Sequence, residues 1–207
     1  LRRMEETGKY AVVLAARPYQ TDSLVNHDLP SLFTSLGISV LTADSLPEAG
    51  KTDLSKSTLD IVNNYHARML SSAILAARDP RLEYVQLVSF GCGHDAYLSD
   101  EIIRVMKEIS GKTPLVLKVD ESDVQGPLRI RVRSFVETLN MKRELKKKQG
   151  ETLQTKELGE PYPVKFTDRD RKEKVVLVPN TSHAFSRVMS AAMKGQGLRT
   201  ESLEIGR

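Results

Sequence analysis

The chain of 207 residues contains few of the residue types that mark several common classes of protein. Its single cysteine, Cys92, excludes an internal disulfide and is typical of a reducing compartment. It has no tryptophan and only 5% aromatic residues, so a surface that stacks nucleic-acid bases is not expected. No apolar run reaches the length needed to span a bilayer. These absences predict a cytoplasmic protein that binds neither nucleic acid nor membrane.

Two phosphate-binding motifs are also missing from the sequence. It contains neither the GxxxxGKS/T pattern nor GxGxxG after its first predicted strand, so nucleotide binding through such loops is not expected. The first residues, LRRMEETGKY, have no apolar signal-peptide core and no initiator methionine. We interpret the chain as a piece of a longer protein.

The net charge of +4 is distributed unevenly along the chain. Residues 121–207 hold 18 Lys and Arg against 12 Asp and Glu, whereas residues 1–120 are slightly acidic. Much of the excess lies in residues 141–149, which read MKRELKKKQ. A run of this kind is more often a solvated helix end or a linker than a nucleic-acid surface.

Strands and amphipathic helices alternate along the first part of the chain. Apolar runs predict four strands, at residues 10–16, 38–41, 84–88 and 114–119. The alternation predicts an α/β fold, a three-layer arrangement with helices on both faces of a parallel sheet, as in flavodoxin-like or Rossmann-like proteins.

The same patterns predict the domain organisation. Residues 1–147 form a four-stranded α/β domain, residues 148–173 are a linker or excursion, and residues 174–207 are the truncated β-α-β start of a following α/β unit. Ser57, followed by Asp60, predicts a helix that runs to about Arg78, with His66 on one face near its middle. Ser99 predicts the start of the next helix.

Polar, ionisable and nucleophilic side chains follow the predicted strands. In chain order they are Arg17, Tyr19, Asn26, His27, Thr42, Asp44, Ser45, Cys92, His94, Asp95, Asp120, Glu121 and Asp123. The carboxyl ends of parallel strands meet at one edge of the sheet, which is where such folds bind ligands. The loops at the opposite edge carry fewer side chains of these types, so this asymmetry predicts a site at the carboxyl edge.

Cys92 stands between Gly91 and Gly93 at the end of the third strand. Flanking glycines allow a sharp turn and the close approach of a ligand. Three interpretations remain open from the residues alone: a small buried hydrophobe, a metal-cluster ligand, or a nucleophile with His94 or His27 as its base. A zinc site is not expected, because there is no second cysteine pair.

Several stretches together resemble one known family. They read PYQTDSLVNHDLPSLFTSLGISVLTADS, YHARML, VQLVSFGCGHDAYLSDEI, LKVDE and RIRVRS, and they fall within residues 18–134. The motifs in these stretches and the spacing between them resemble those of the multi-domain 2-hydroxyacyl-CoA dehydratase activators, also called CoA-substrate-specific enzyme activases. The match is to the dehydratase-subunit-like region of a longer chain. The segment from Lys174, with PNTSH, resembles the start of the family's following segment.

The resemblance implies a role in anaerobic metabolism. Full-length members join ATP-hydrolysing activator domains to a region that holds a 4Fe-4S cluster through cysteines. ATP hydrolysis then drives low-potential electron transfer. The expected partners are the other domains of the parent chain and an acyl-CoA dehydratase or reductase.

The resemblance also implies the site residues. Cys92 falls at the cysteine of the family's SFGCG-DA motif and is the predicted cluster ligand. We further predict that Gly91, Gly93, Asn26 and His27 bind the cofactor. The ATPase signature and the other cysteines are absent, so the chain alone is expected neither to hydrolyse ATP nor to hold a complete cluster.

Two alternative functions remain open. One is a cysteine-dependent acyl-CoA enzyme, such as a transferase or hydrolase, which requires a reactive thiol. The other is a non-catalytic docking domain in which residues 141–149 contact an acidic partner.

Overall fold

The computed structural model describes residues 4, 9–61, 63–89, 92–119, 125–162 and 164–203. The chain divides into two compact units, Leu1–Pro161 and Tyr162–Arg207. Residues of the predicted linker at 148–173 therefore belong to both units, and the assignment of that segment as a linker stays a prediction.

The first unit is built on a four-stranded parallel sheet with the strand order β2-β1-β3-β4. The strands are β1 (Ala11–Ala15), β2 (Ser39–Thr42), β3 (Leu82–Ser89) and β4 (Leu115–Val119). The helices that follow them in turn are α1 (Leu29–Ser35), α2 (Asn64–Arg78), α3 (Gly93–Ser110) and α4 (Gln125–Gln149). The predicted α/β fold with a parallel sheet is confirmed.

Apolar cores lie on both faces of this sheet. β1 is buried along its whole length, as an inner parallel strand should be, and its side chains alternate between the two cores. One core includes Val13, Leu70 of α2 and Ile102 of α3. The other includes Val12, Phe33 of α1 and Val132 of α4. None of the helices in the described ranges is both long enough and apolar enough to cross a membrane.

The predicted start of the second helix is wrong, because α2 begins at Asn64 rather than at Ser57. The Ser57 hydroxyl accepts a hydrogen bond from the Leu59 N–H at 3.0 Å, which favours a local turn over a helix cap. The Glu101 carboxylate of α3 binds the backbone N–H of the intervening Thr58 at 2.8 Å. These contacts hold the segment in an irregular conformation.

His66 consequently lies in the first turn of α2. Because α2 crosses back from the carboxyl edge of the sheet toward the amino edge, this turn is close to the carboxyl ends of the strands. His66 is buried there, rather than standing on a helix face midway along the sheet.

The predicted start of the third helix near Ser99 is also wrong, because α3 begins at Gly93. Cys92 is its N-cap residue, and the Cys92 carbonyl accepts the first helical hydrogen bond, from the Ala96 N–H at 3.2 Å. Ser99 lies inside the helix, where its hydroxyl donates to the Asp95 carbonyl at 2.6 Å. Cys92 therefore lies at the positive end of an 18-residue helix.

The second unit is a small parallel β-α-β arrangement. It consists of α5 (Asp168–Glu173), β5 (Val175–Val178), α6 (His183–Gly195) and β6 (Arg199–Ser202). The hydroxyls of Ser190 and Thr200 meet at 2.7 Å and connect α6 to β6. The predicted start of a further α/β unit is confirmed.

Candidate functional site

The candidate site lies where β1 and β3 adjoin at the centre of the sheet. The chain leaves β1 toward β2 on one side and later enters β3 on the other. The chain after β3 continues to β4 on the far side, and the point where two connections part in this way is the usual ligand position in this topology. Arg17 follows β1 and Cys92 follows β3, and Arg17 Nη2 lies 2.6 Å from Cys92 Sγ.

Asp95 completes this group, and we call Arg17, Cys92 and Asp95 the edge site. Asp95 lies in the first turn of α3 with its side chain 2% exposed. Its Oδ1 accepts a hydrogen bond from Arg17 Nη2 at 2.7 Å, and its Oδ2 accepts one from the Ser89 backbone N–H at 2.9 Å. The carboxylate thus links the end of β3, the start of α3 and the loop after β1.

The surroundings of Cys92 favour its thiolate form. The largest influence on the thiol pKa is the backbone N–H of Asp95, which lowers it and outweighs desolvation. The Cys92 side chain makes no complete N-cap hydrogen bond to this N–H. The Arg17 guanidinium lowers the thiol pKa further. Cys92 as a whole residue is only partly buried. A lowered thiol pKa together with access is what reactive and metal-binding cysteines require.

Arg17 carries a firmly held positive charge. Burial disfavours the charged guanidinium, but the hydrogen bonds to Cys92 and Asp95 outweigh this effect and raise the pKa of Arg17. The guanidinium carbon lies 5.9 Å from the centroid of the Tyr65 ring, at the outer limit of a cation–π contact. Arg17 therefore supplies the positive charge of the edge site.

The loop after β1 is fastened to the end of β3 by neutral contacts. The Gln20 side chain accepts a hydrogen bond from the Arg17 backbone N–H at 2.9 Å and donates one to the Ser89 hydroxyl at 3.2 Å. The Tyr19 hydroxyl meets the same Ser89 hydroxyl at 2.7 Å. These contacts fix the backbone from which Arg17 reaches the sulfur.

Two histidines flank the edge site. The rings of His66 and His94 lie 5.9 Å apart, and Tyr65 packs edge-on against His66 with ring centroids 4.4 Å apart. Burial, and then the charge of Arg17, lower the pKa of His66, so its imidazole is neutral at neutral pH. Its Nε2 is buried and has no hydrogen-bond partner in the described part of the chain.

Gln86 of β3 is a second buried polar group with no hydrogen-bond partner among the residues that the structure describes. Its side chain is completely buried, and neither amide atom is hydrogen-bonded to any described residue. Tyr84, two residues earlier on the same face, donates to the Met69 carbonyl of α2 at 2.6 Å. Strands rise about 3.3 Å and helices about 1.5 Å per residue, so Gln86 and His66 lie at similar heights beneath the carboxyl edge.

Asn26 and His27, two of the predicted cofactor-binding residues, lie in the loop after β1. Asn26 is buried, and its amide nitrogen donates to the carbonyls of Gln20 and Thr21, at 3.1 Å each. It therefore holds the shape of this loop. His27 adopts a left-handed backbone conformation with φ of 53°. Their binding of a cofactor stays a prediction.

The predicted glycines flank the edge site in the sequence. Gly93 is the first residue of α3, and a Cβ atom placed there would meet nothing within 4 Å. Gly91 lies outside the described residues, as do the acidic residues after β4, Asp120, Glu121 and Asp123. Their roles in binding stay predictions.

The sequence identifies Arg17 and Asp95 only as polar residues that follow strands. It gives no sign that they meet at Cys92, because that contact depends on β1 and β3 being neighbours. One local signal for Asp95 exists: an acid three residues after an N-cap is favoured by the helix dipole. His66 escapes the sequence analysis because the start of α2 is misplaced.

The edge site can supply one ligand to a metal cluster. The sequence contains one cysteine, and the described residues include no group of three or more His, Cys, Asp and Glu placed to hold a metal ion. The sulfur of the partly buried Cys92, in surroundings that favour the thiolate, fits a single ligand position of an iron–sulfur cluster, which normally takes several thiolates. Any further thiolate ligands would come from outside this chain, which has one cysteine.

Comparison with known families agrees with the resemblance noted from the sequence. The family described as CoA enzyme activase uncharacterised domain (DUF2229) matches residues 1–46. The matched segment contains β1, Arg17, Asn26 and His27, whereas Cys92 and Asp95 lie beyond it. No curated protein matches the chain. The resemblance of this chain to the CoA-substrate-specific enzyme activases is thereby confirmed.

Proposed function

We propose that this chain is part of an activator of 2-hydroxyacyl-CoA dehydratase, in which Cys92 provides one thiolate to a 4Fe-4S cluster. The observation that carries this proposal is the partly buried Cys92 at the junction of β1 and β3, with its sulfur beside the Asp95 amide and the Arg17 guanidinium. The family match supports the activase assignment. The cluster itself is taken from the family resemblance.

Each residue of the edge site has a defined role in this proposal. Cys92 supplies the thiolate, and Arg17 balances its negative charge. Asp95 holds Arg17 and the end of β3 in position through its two carboxylate oxygens. Such surrounding groups orient a ligand and tune the reduction potential of the metal centre. When bound, the cluster would carry single electrons at low potential.

The remaining ligands and the ATP-dependent electron donor would belong to other domains of the parent chain. The electron acceptor would be an acyl-CoA dehydratase or reductase in the cytoplasm. In this proposal the present chain provides one ligand of the cluster and takes part in electron transfer, and it does not hydrolyse ATP.

We expect anaerobic reconstitution with iron, sulfide and a small thiol to load iron through Cys92. The small thiol completes the coordination that one cysteine cannot supply. Cys92→Ser removes the thiolate with little change of shape, so iron and sulfide per chain should fall to background. Iron analysis, sulfide analysis and visible absorption measure this without any assay of activity.

A second variant controls for unspecific binding to a thiol. Cys92→Ser combined with Lys107→Cys moves the only thiol to an exposed position on α3 and keeps the cysteine count. We expect this variant to bind no more iron than Cys92→Ser alone. Equal iron in the wild type and in either variant would contradict the proposal.

A cysteine-dependent acyl-CoA enzyme is the second candidate, and the lowered pKa of the Cys92 thiol favours it. The thiolate would attack the thioester carbonyl, forming an acyl-cysteine and releasing CoA as its thiolate. Mass spectrometry after incubation with acetyl-CoA separates the two candidates. An acyl adduct at Cys92 without iron loading supports the enzyme, and iron loading without an adduct supports the activase.

A further inference from the structure

The inner face of α4 changes its chemical character halfway along the helix. Up to Leu139 this face is apolar, with Val132 and Val136 buried against the sheet. Residues three and four apart share one side of a helix, so the face continues through basic positions. These positions are Lys142, Arg143, Lys146 and Lys147. A surface that packs against the core thus becomes a cationic one.

A groove of about 960 Å³ opens beside this part of α4. It lies near the starts of β3 and β4, at the opposite edge of the sheet from the edge site. Its apolar lining includes Leu115, Ile130, Phe135 and Leu139, and Ile130 is 69% exposed. The volume is at the upper end of the range for sites that bind small organic molecules.

Basic side chains outnumber acidic ones around the groove by six to two. Arg143 pairs with Glu83 at 2.7 Å, and Lys112 donates to three backbone carbonyls. By contrast, no ion pair or hydrogen bond joins the side chains of Lys142, Lys146 and Lys147 to the described residues. The three lysines therefore form no ion pair with either carboxylate of the groove, Glu83 or Glu151.

The pKa of the Lys112 amine is lowered by its burial. Burial is the largest influence and lowers this pKa to about 8; among the nearby charges, Glu83 and Asp79 raise it, whereas Arg143 and Lys146 lower it.

We propose that the groove binds an amphipathic organic anion, with its apolar body on the apolar lining and its anionic head at Lys142, Lys146 and Lys147. An inorganic anion would leave the apolar lining uncovered, and a neutral ligand would leave the lysines unpaired. A phosphate head and a carboxylate head share the required chemistry. The basic run at residues 141–149 takes no part in the edge site, and this proposal gives it a separate function.

The test is calorimetric titration of the full chain with naphthyl phosphate, naphthoate and inorganic phosphate. We expect both naphthyl anions to bind and inorganic phosphate to bind at least about tenfold more weakly. The relative affinities of naphthyl phosphate and naphthoate show which head group the groove prefers. Ile130→Ser should weaken the naphthyl anions and leave inorganic phosphate unchanged. Equal binding of inorganic phosphate, or no binding of the naphthyl anions, would overturn the proposal.

Charge reversal provides the matched comparison. Lys146→Glu with Lys147→Glu changes two exposed groove residues and should weaken binding by at least about tenfold. Lys51→Glu with Lys118→Glu makes the same change of net charge at exposed positions outside the groove and should leave binding intact. Equal weakening by both pairs would overturn the proposal. So would binding of a polyglutamate peptide in place of the naphthyl anions, which would assign the groove to a protein partner.

Discussion

Replacing Arg17 with methionine is expected to lower the free energy of unfolding by about 3 kcal/mol. The Asp95 side chain is 2% exposed and accepts a hydrogen bond from Arg17 at 2.7 Å, so the substitution leaves a buried carboxylate without its counter-charge. Methionine keeps the unbranched part of the arginine side chain as far as the position of Nε, so the change removes the charged group and retains the packing of the aliphatic part. Urea unfolding followed by circular dichroism measures the loss.

The same substitution should slow the alkylation of Cys92 by iodoacetamide at neutral pH. Without the guanidinium, the Asp95 carboxylate opposes the thiolate, and the thiol pKa rises even though the Asp95 N–H remains. Arg17→Lys keeps the positive charge and should retain more of both the stability and the reactivity. If Arg17→Met is as stable as the wild type and its Cys92 is alkylated at the same rate, the contact of Arg17 with Asp95 and Cys92 has no energetic role.

Replacing Glu101 with glutamine is expected to cost about 3 kcal/mol of unfolding free energy at neutral pH. Burial disfavours the Glu101 carboxylate, but its hydrogen bonds to Arg104 and Thr58 outweigh burial and lower its pKa from 4.5 to about 2. The Arg104 guanidinium contacts both carboxylate oxygens, at 2.8 and 2.9 Å. Glutamine keeps the shape of the side chain and removes its charge.

The pH dependence of this effect has a definite sign. A carboxylate with a lowered folded-state pKa stabilises the fold above its unfolded-state pKa and loses this contribution as the pH falls through the folded-state value. Wild-type stability should therefore decline between about pH 4.5 and about pH 2, and this component should be absent from Glu101→Gln. Denaturant unfolding of both chains over this range measures the difference.

Glu108→Gln is the control for this prediction. Glu108 pairs with the same arginine at 2.8 Å, but its side chain is 36% exposed, so its loss should cost less than about 1 kcal/mol. Parallel acid profiles for the wild type and Glu101→Gln would contradict the assigned role of Glu101.

The sheet could be predicted from the sequence because its inner strands are buried on both faces. The segment AVVLA of β1 is apolar at every position for this reason, and β3 is similarly buried. The order of the strands could not be predicted in this way, since nothing in such a run specifies which strand lies beside it. That order nevertheless brings Arg17, which follows β1, to Cys92, which follows β3.

The edge site could be predicted only in part. The position of Cys92 follows from the apolar run before it and the glycines beside it. The contact with Arg17 spans 75 residues of sequence and depends on tertiary packing. The burial of His66 escapes prediction because Thr58 binds Glu101, a residue of a later helix, and this displaces the start of α2.

Titration of the Cys92 thiol is the most direct test of the central claim, that this sulfur is poised as a thiolate. The chain has a single cysteine, so thiolate absorbance in the ultraviolet reports on this residue alone. We predict a pKa below the ordinary value of a cysteine thiol in the folded chain, returning to that value in denaturant. A folded-state pKa at or above the ordinary value would contradict the claim.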